Sequence, residues 1–494
     1  MKDHQKLILE AHKSHDQVKN EVQKSHWRLN YHVSPPAYWM NDPNGFCVYN
    51  GEYHLFYQHH PFSPEWGPMY WGHVKSKDLA FWEEQPIALA PSEEYDRDGC
   101  FSGSAIEKDG KLYLMYTGNV WTGDNHDTDL KQVQCLAVST DGVTFEKLKE
   151  NPVIEKAPVG DIHPYHYRDP KVWKHGEFYY CVLGSRTNDH QGQVLLYRSS
   201  DLLKWEFINV VAKGEDGFSF MWECPDLFHL DGQDVLVMSP QGVKPKGYLY
   251  HNLHQAGYLL GKLDYEKGTL EHGDFHLLDY GFDFYAPQTT LDDQGRRILI
   301  AWMAMWESEM PEQKHQWAGA MTIPRELKIE GETIIQRPVL ELQKLRKDEV
   351  HYENVELNGE LELEGIQGDS FELEMVIDAK KASQFGLKLR VNEELQEETV
   401  LTYNRDEGFF IFNRDHSGKG LKGERKAPVV LKDNQLRLQI FVDKSSVEVF
   451  INEGEKVMTG RIYPSEKSTG VLLFANGPVE IVQLKKWGLK NCIN

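Results

Sequence analysis

The sequence is short of several things at once. No run of 18 apolar residues occurs in its 494 positions, which removes a membrane-spanning helix. Basic residues are in deficit: 54 Lys and Arg stand against 76 Asp and Glu, a formal charge of −22. A field of that sign repels nucleic acid and anionic membranes, and leaves a neutral small molecule as the natural partner. Cysteine is sparse. Cys47, Cys100, Cys135, Cys181, Cys224 and Cys492 form no C-x-x-C pair and no dense framework, so reduced thiols in a cytosol are expected. Residues 1–27 lack the apolar core and small-residue cleavage site of a secretion signal, and a cytoplasmic location is the expectation. Leu7, Ile8, Ala11, Val18 and Val22 recur there near helical spacing, which predicts a short amphipathic helix within an extension over 1–29.

Helical patterning is scarce beyond that point, and strands dominate. Five segments repeat a turn glycine followed by apolar and aromatic residues: "NGEYHLFYQ", "DGKLYLMYTG", "HGEFYYCVLG", "DGQDVLVMSPQG" and "QGRRILIAWMA". Their glycines, Gly51, Gly110, Gly176, Gly232 and Gly295, lie 59, 66, 56 and 63 residues apart. A second marker, S-x-D-x-x-x-aromatic, begins at Ser76, Ser139 and Ser199, 63 and 60 residues apart. Two independent markers of similar period predict a structural repeat of short strands, longer than a leucine-rich or helical repeat. The fold expected is all-β: a five-bladed β-propeller over 30–338, a linker helix over 339–348 and a C-terminal β-sandwich over 349–494. The sandwich strands, such as "SFELEMVIDA" and "LRLQIFVD", alternate with period two. They carry no concentrated polar cluster, so that domain reads as structural.

"WMNDPNG", residues 39–45, is on its own a hairpin turn whose Asp bonds its own backbone. Its place in the repeat changes that. Asp42 lies nine residues before Gly51, Asp169 of "YRDPKVW" seven before Gly176, and Glu223 of "MWECPDLF" nine before Gly232. The comparable positions in the other two units are Ser102, eight before Gly110, and Ala286, nine before Gly295. If these segments are the innermost strands, three acids from different blades point into one central funnel. Each has a bland reading, "RDP" as a structural Arg–Asp pair and "ECPD" as a turn. Three like charges about one axis are poor scaffolding, however, because crowding and desolvation push carboxyl pKa values apart. A protonated acid beside an ionised carboxylate is what glycoside hydrolysis requires.

At this point a resemblance enters. "WMNDPNG", "FYQ" (56–58), "FSGS" (101–104), "RDP" (168–170), "EC" (223–224) and "VDKSSVEVFINEG" (442–454) together resemble glycoside hydrolase family 32, the invertases and fructofuranosidases. Within it, the likeness is to bacterial enzymes acting on sucrose 6-phosphate. The resemblance implies that Asp42 is a nucleophile attacking C2 of a β-fructofuranosyl unit, Glu223 the general acid and then base, and Asp169 a stabiliser of the oxocarbenium-like transition state. It places Arg168 beside Asp169, and Asn41, Gln58, Trp66, Phe101, Ser102 and Trp306 around the sugar. Cys224 adjoins the acid, either shaping the surroundings of Glu223 or standing as an inert thiol.

His59, His60, His163 and His166 lie near the motifs, but no set of metal-ligand spacings stands out and the hydrolysis needs no ion. No metal and no cofactor are expected; hydrogen bonding at the rim is the role assigned to these histidines. The substrate implied is sucrose or its 6-phosphate. An exo-acting fructan hydrolase, a non-catalytic sugar-binding propeller and a protein-interaction scaffold are the alternatives. Oligomeric state is open, a homo-oligomer included.

Overall fold

The computed structural model describes residues 3–215 and 217–493. The five repeat glycines sit in hairpin turns and take φ of 74°, 72°, 59°, 88° and 75°. In three of those turns the residue before the glycine, Asn50, Asp109 or Asp231, is also left-handed, at φ 52°, 52° and 47°. Two successive positive φ values match the twist of a two-residue hairpin, which is why Asn-Gly and Asp-Gly stand there.

Each hairpin opens an antiparallel blade of four strands, joined in blade 4 by a short fifth, His276–Leu277. The innermost strands are Tyr38–Tyr49, Cys100–Lys108, Tyr167–His175, Met221–Leu230 and Tyr285–Leu291. The second marker forms one recurring turn between third and fourth strands. The Ser76, Ser139 and Ser199 hydroxyls accept the N–H of the residue two places on, and Asp78, Asp141 and Asp201 each accept two further N–H groups. No blade can bury both of its faces alone, so the core lies between blades. Phe56 and Trp71 of blade 1 meet Leu114 and Tyr116 of blade 2, and Met115 meets Tyr167 and Val172 of blade 3. Val182 meets Trp222 and Leu236 of blade 4, Val235 meets Leu299 of blade 5, and Ile298 and Ile300 return to Leu55 and Tyr57 of blade 1. A short strand, Trp317–Ala318, pairs in parallel with Tyr38–Trp39 and closes the ring.

A 3-10 helix, Leu340–Leu345, leads to the second domain, whose strands form one ten-stranded sheet folded over a core of Phe371, Leu373, Phe385, Phe410, Val449 and their neighbours. The long final strand, Gly470–Leu489, pairs with three others and ties the two halves together. The sequence shows no polar cluster in this domain, but folding assembles one at its border with the propeller. There Arg325, fully buried, bonds Asp279 at 3.1 Å and Glu448 at 2.5 Å, and His32 bridges Asp443 at 2.8 Å and Glu448 at 3.0 Å. These partners are up to 416 positions apart, so no local pattern announces them.

The helix near the N-terminus runs His4–Gln23, capped by the Asp3 side chain accepting from the Lys6 N–H. Ile8 and Ala11 pack on Tyr70, Ile87 and Ala90 of blade 1. Among the described residues, no helix is long and apolar enough to cross a membrane.

Candidate active site

In every blade the innermost strand breaks its ladder near its start. The irregularities fall between Met40 and Pro43, Phe101 and Gly103, Glu223 and Asp226, and Tyr285 and Gln288, and in blade 3 between Arg168 and Lys171. A bulge upsets the in–out alternation, so neighbouring residues can face the same side. That places Asn41 with Asp42, Phe101 with Ser102, Arg168 with Asp169, and Glu223 along one funnel of about 320 Å³. Asp169, Cys224 and Ala286 pay for the turn with φ of 62°, 47° and 50°. The register corrects the offset count: the position matching Asp42 and Asp169 in blade 4 is Cys224, and Glu223 matches Arg168 and Tyr285.

The apolar flank of "WMNDPNG" has two jobs. Met40, fully buried, belongs to the core between blades 5 and 1. Trp39 stacks on Trp306 at 6.2 Å, and its indole N–H donates to Asn41 Oδ1 at 2.7 Å. Asn41 Nδ2 in turn donates to Asp42 Oδ1 at 3.1 Å, and Ser102 Oγ donates to Asp42 Oδ2 at 2.7 Å. The Cys224 thiol lies 3.5 Å from Asp42 Oδ2 and 3.6 Å from Asp169 Oδ2, while its backbone N–H donates to Asp169 Oδ2 at 3.0 Å. Cys224 therefore sits between the two aspartates instead of shaping Glu223. Burial, then the charges of Asp169 and Asp42, push its pKa well up and keep it a donor.

Arg168 donates to Glu223 Oε1 through Nε at 3.1 Å and Nη2 at 2.7 Å. Gln241 and Tyr285 donate to Glu223 Oε2 at 2.8 and 2.6 Å. Burial pulls the Glu223 pKa upward, but Arg168 and Tyr285 outweigh it and the group ends below its ordinary value. Asp169 goes the other way: burial, with Glu223 and Asp42 nearby, drives it up to about 7 against the pull of Arg168. Asp42 is also raised, by burial first and Glu223 second. Asp169 and Asp42 are thus pushed up while Glu223 is held down, so Asp169, not Glu223, is the acid whose surroundings favour a retained proton. Because the groups interact strongly, that proton belongs to the cluster. We therefore expect kcat/KM to fall above about pH 7, as the cluster loses its last proton, and to fall at acid pH as Asp42 protonates. A profile flat from about pH 6 to 9 would place the essential proton elsewhere.

Gln58, Trp66 and Trp306 also line the funnel, so all ten residues singled out from the sequence meet there. Gln58 is anchored by its amide N–H to the Cys100 carbonyl at 2.9 Å. Trp66 is partly exposed at the mouth beside Phe101 and Trp121. Sequence reasoning missed Trp121, His126, Gln241 and His254 in the lining, Tyr285 bonded to Glu223, and the role of His166. Tyr285 carried a readable signal, since it stands in blade 5 where Glu223 stands in blade 4. The others lie on second strands or loops outside the repeat. His166 lines the funnel, accepting from Arg168 Nη1 at 3.0 Å and donating through Nε2 to the Asp127 carbonyl at 2.8 Å. His59 is not at the rim: it is fully buried beneath the first strand, bonded to the Trp39 carbonyl. Among the described residues, no group of three His, Cys, Asp or Glu is arranged to hold a metal ion.

Comparison with known proteins adds to this geometry. The family model "Glycosyl hydrolases family 32 N-terminal domain" matches residues 32–338, and "Glycosyl hydrolases family 32 C terminal" matches 341–488. A sucrose-6-phosphate hydrolase of Zymomonas mobilis subsp. mobilis is 41% identical, covering 98% of this chain and 97% of its own. One from Escherichia coli is 43% identical over 92% of this chain and 93% of its own. Among solved structures, a GH32 beta-fructofuranosidase of Bombyx mori superposes with a TM-score of 0.86 at 37% identity, covering 98% of each chain, and a variant of it was solved with sucrose.

Proposed function

The chain belongs to glycosyl hydrolase family 32, and from that premise we propose that it is a retaining β-fructofuranosidase releasing the terminal fructosyl unit of sucrose and sucrose 6-phosphate. The observation that carries the reading is the convergence of Asp42, Asp169 and Glu223 on one funnel, tied together by Arg168 and Cys224. Asp42 Oδ1 or Oδ2 attacks the anomeric C2, and Glu223 delivers a proton to the departing glycosidic oxygen. A covalent fructosyl–Asp42 ester results, which splits one hard displacement into two easier ones. Glu223, now ionised, takes a proton from water, and the hydroxide displaces Asp42 to restore the original configuration. Asp169 balances the positive charge that grows on the ring in both steps.

Arg168 holds Glu223 below its ordinary pKa in the free protein, so Glu223 takes up the proton it donates when the substrate binds. A bound sugar displaces water from the funnel and favours the neutral form of Glu223, while Asp169 gains from ionising beside a forming cation. Trp306, backed by Trp39, offers an apolar wall for the fructosyl face, and Trp66 and Trp121 flank the mouth where the leaving sugar lies. We place the protein in the cytoplasm, where a sugar phosphorylated during uptake would meet it.

Proton NMR during turnover tests the mechanism: fructose should emerge first as the β-anomer, and the α-anomer would exclude retention. Comparing kcat/KM for sucrose, sucrose 6-phosphate and a short inulin ranks the substrates, and the inulin is expected last. An inulin preference would favour the fructan reading. No reducing sugar from any of the three would leave only a binding propeller.

A further inference from the structure

A helix outside the propeller reaches the nucleophile through four hydrogen bonds. His15, on the buried face of His4–Gln23, lies with Nε2 2.9 Å from His59 Nε2. His59 Nδ1 lies 2.7 Å from the Trp39 carbonyl oxygen. The Trp39 indole N–H donates to Asn41 Oδ1, and Asn41 Nδ2 donates to Asp42 Oδ1. The tautomers follow from the end that has no choice. A carbonyl only accepts, so His59 carries its proton on Nδ1, its Nε2 is bare, and His15 Nε2 is the donor. Both rings are held neutral by burial first, His15 down to about 4 and His59 well below its ordinary value.

Packing alone gives His15 no reason to be there. The helix beside it borders a cavity of about 450 Å³, walled by His12, His15, Lys19, Arg28, His59 and other residues, and not a dense core. An apolar residue would continue the stripe of Ile8, Ala11 and Val22, whereas a histidine there must find a partner for a buried N–H. That partner is His59, and the bond fixes the His59 ring, which fixes the strand at Trp39, two residues before Asn41.

We propose that His15 is a positioning residue for the catalytic site: through His59 and Trp39 it holds Asn41 in the orientation that donates to Asp42, making the N-terminal helix part of the active-site scaffold. The kinetic consequence rests on the nucleophilic role of Asp42; the structural coupling does not.

The test compares His15→Leu with His15→Gln in the full chain. Coupling through such a chain supports a loss of about 10-fold in kcat for His15→Leu, with KM little changed. The acid limb of kcat/KM should move to higher pH, because Asp42 loses an aligned donor that favours its ionised form. His15→Gln, whose amide N–H reaches His59, should restore both. The Asp42 carboxyl resonance, followed by carbon-13 NMR and assigned with Asp42→Asn, should report the same upward titration shift without any turnover. Should His15→Leu fail to fold, His15→Asn replaces it: its amide stops short of His59, and the same kinetic and titration changes are expected. Wild-type kcat and an unmoved Asp42 titration in a folded variant would overturn the proposal. So would equal losses of kcat in the leucine and glutamine variants with the Asp42 titration unmoved in both. If the wild type hydrolyses no fructoside at all, the functional reading fails, and the Asp42 titration still decides the coupling.

Discussion

Asp42→Asn is expected to remove about 10⁴-fold or more of kcat while leaving the protein folded and slightly more stable. The side chain keeps its size, and its oxygen can still accept from Ser102 and Cys224. What it loses is the charge that, in the proposed mechanism, forms the bond to C2. Its removal also relieves the repulsion that raises Asp42 and Asp169, so Tm should rise, as is common where function opposes stability. A turn aspartate gives the opposite pattern: Asp42→Asn would then cost stability and leave turnover alone. Glu223→Gln separates the second role. With sucrose the loss should match that of Asp42→Asn within about 10-fold, because the leaving alkoxide needs a proton. With an aryl β-fructofuranoside, whose phenolate leaves unaided, Glu223→Gln should recover much of the first step while Asp42→Asn should not. Equal loss on both substrates would take the acid role from Glu223.

The propeller was readable because its period is local: each blade restates a glycine turn, and the first three a Ser–Asp turn, within about 60 residues, and each restatement has a direct backbone cause. The three acids were readable for the same reason, being tied to the turns by nearly fixed distances. Nearly is the limit. A bulge adds residues without changing the hydrophobic pattern, so Glu223 counted as the equal of Asp42 when Cys224 holds that place. The destination of the proton was not readable at all. It depends on Arg168, Gln241 and Tyr285 closing on Glu223 from three different blades, and no spacing in the chain encodes that meeting. His15 was hidden differently: it occupies a helix face that reads as apolar, and its partner is 44 residues away.

The domain border is where the second large effect is expected. Arg325→Met should lower stability by about 3–5 kcal/mol, read from urea or thermal unfolding. Arg325 is wholly buried, and its guanidinium serves Asp279, Gln336, Glu448 and Thr459 at once, lying 4.9 Å over the Phe284 ring and 5.3 Å from Phe450. Methionine replaces much of the apolar contact, so the loss isolates the charge. Without it two carboxylates remain in a dry interior, and burial already raises Asp279 even with the arginine present. Asp279 and Arg325 belong to the propeller side, whereas Glu448 and Thr459 lie on sandwich strands, so the same change weakens the joint between domains. A single unfolding transition should therefore split in two, with the propeller and sandwich melting apart. Replacing Arg325, Asp279 and Glu448 together by apolar residues should recover part of the loss, since no unpaired charge is left behind. A lone Arg325→Met that unfolds in one step at the wild-type midpoint would mean that shape, not charge, joins the two halves.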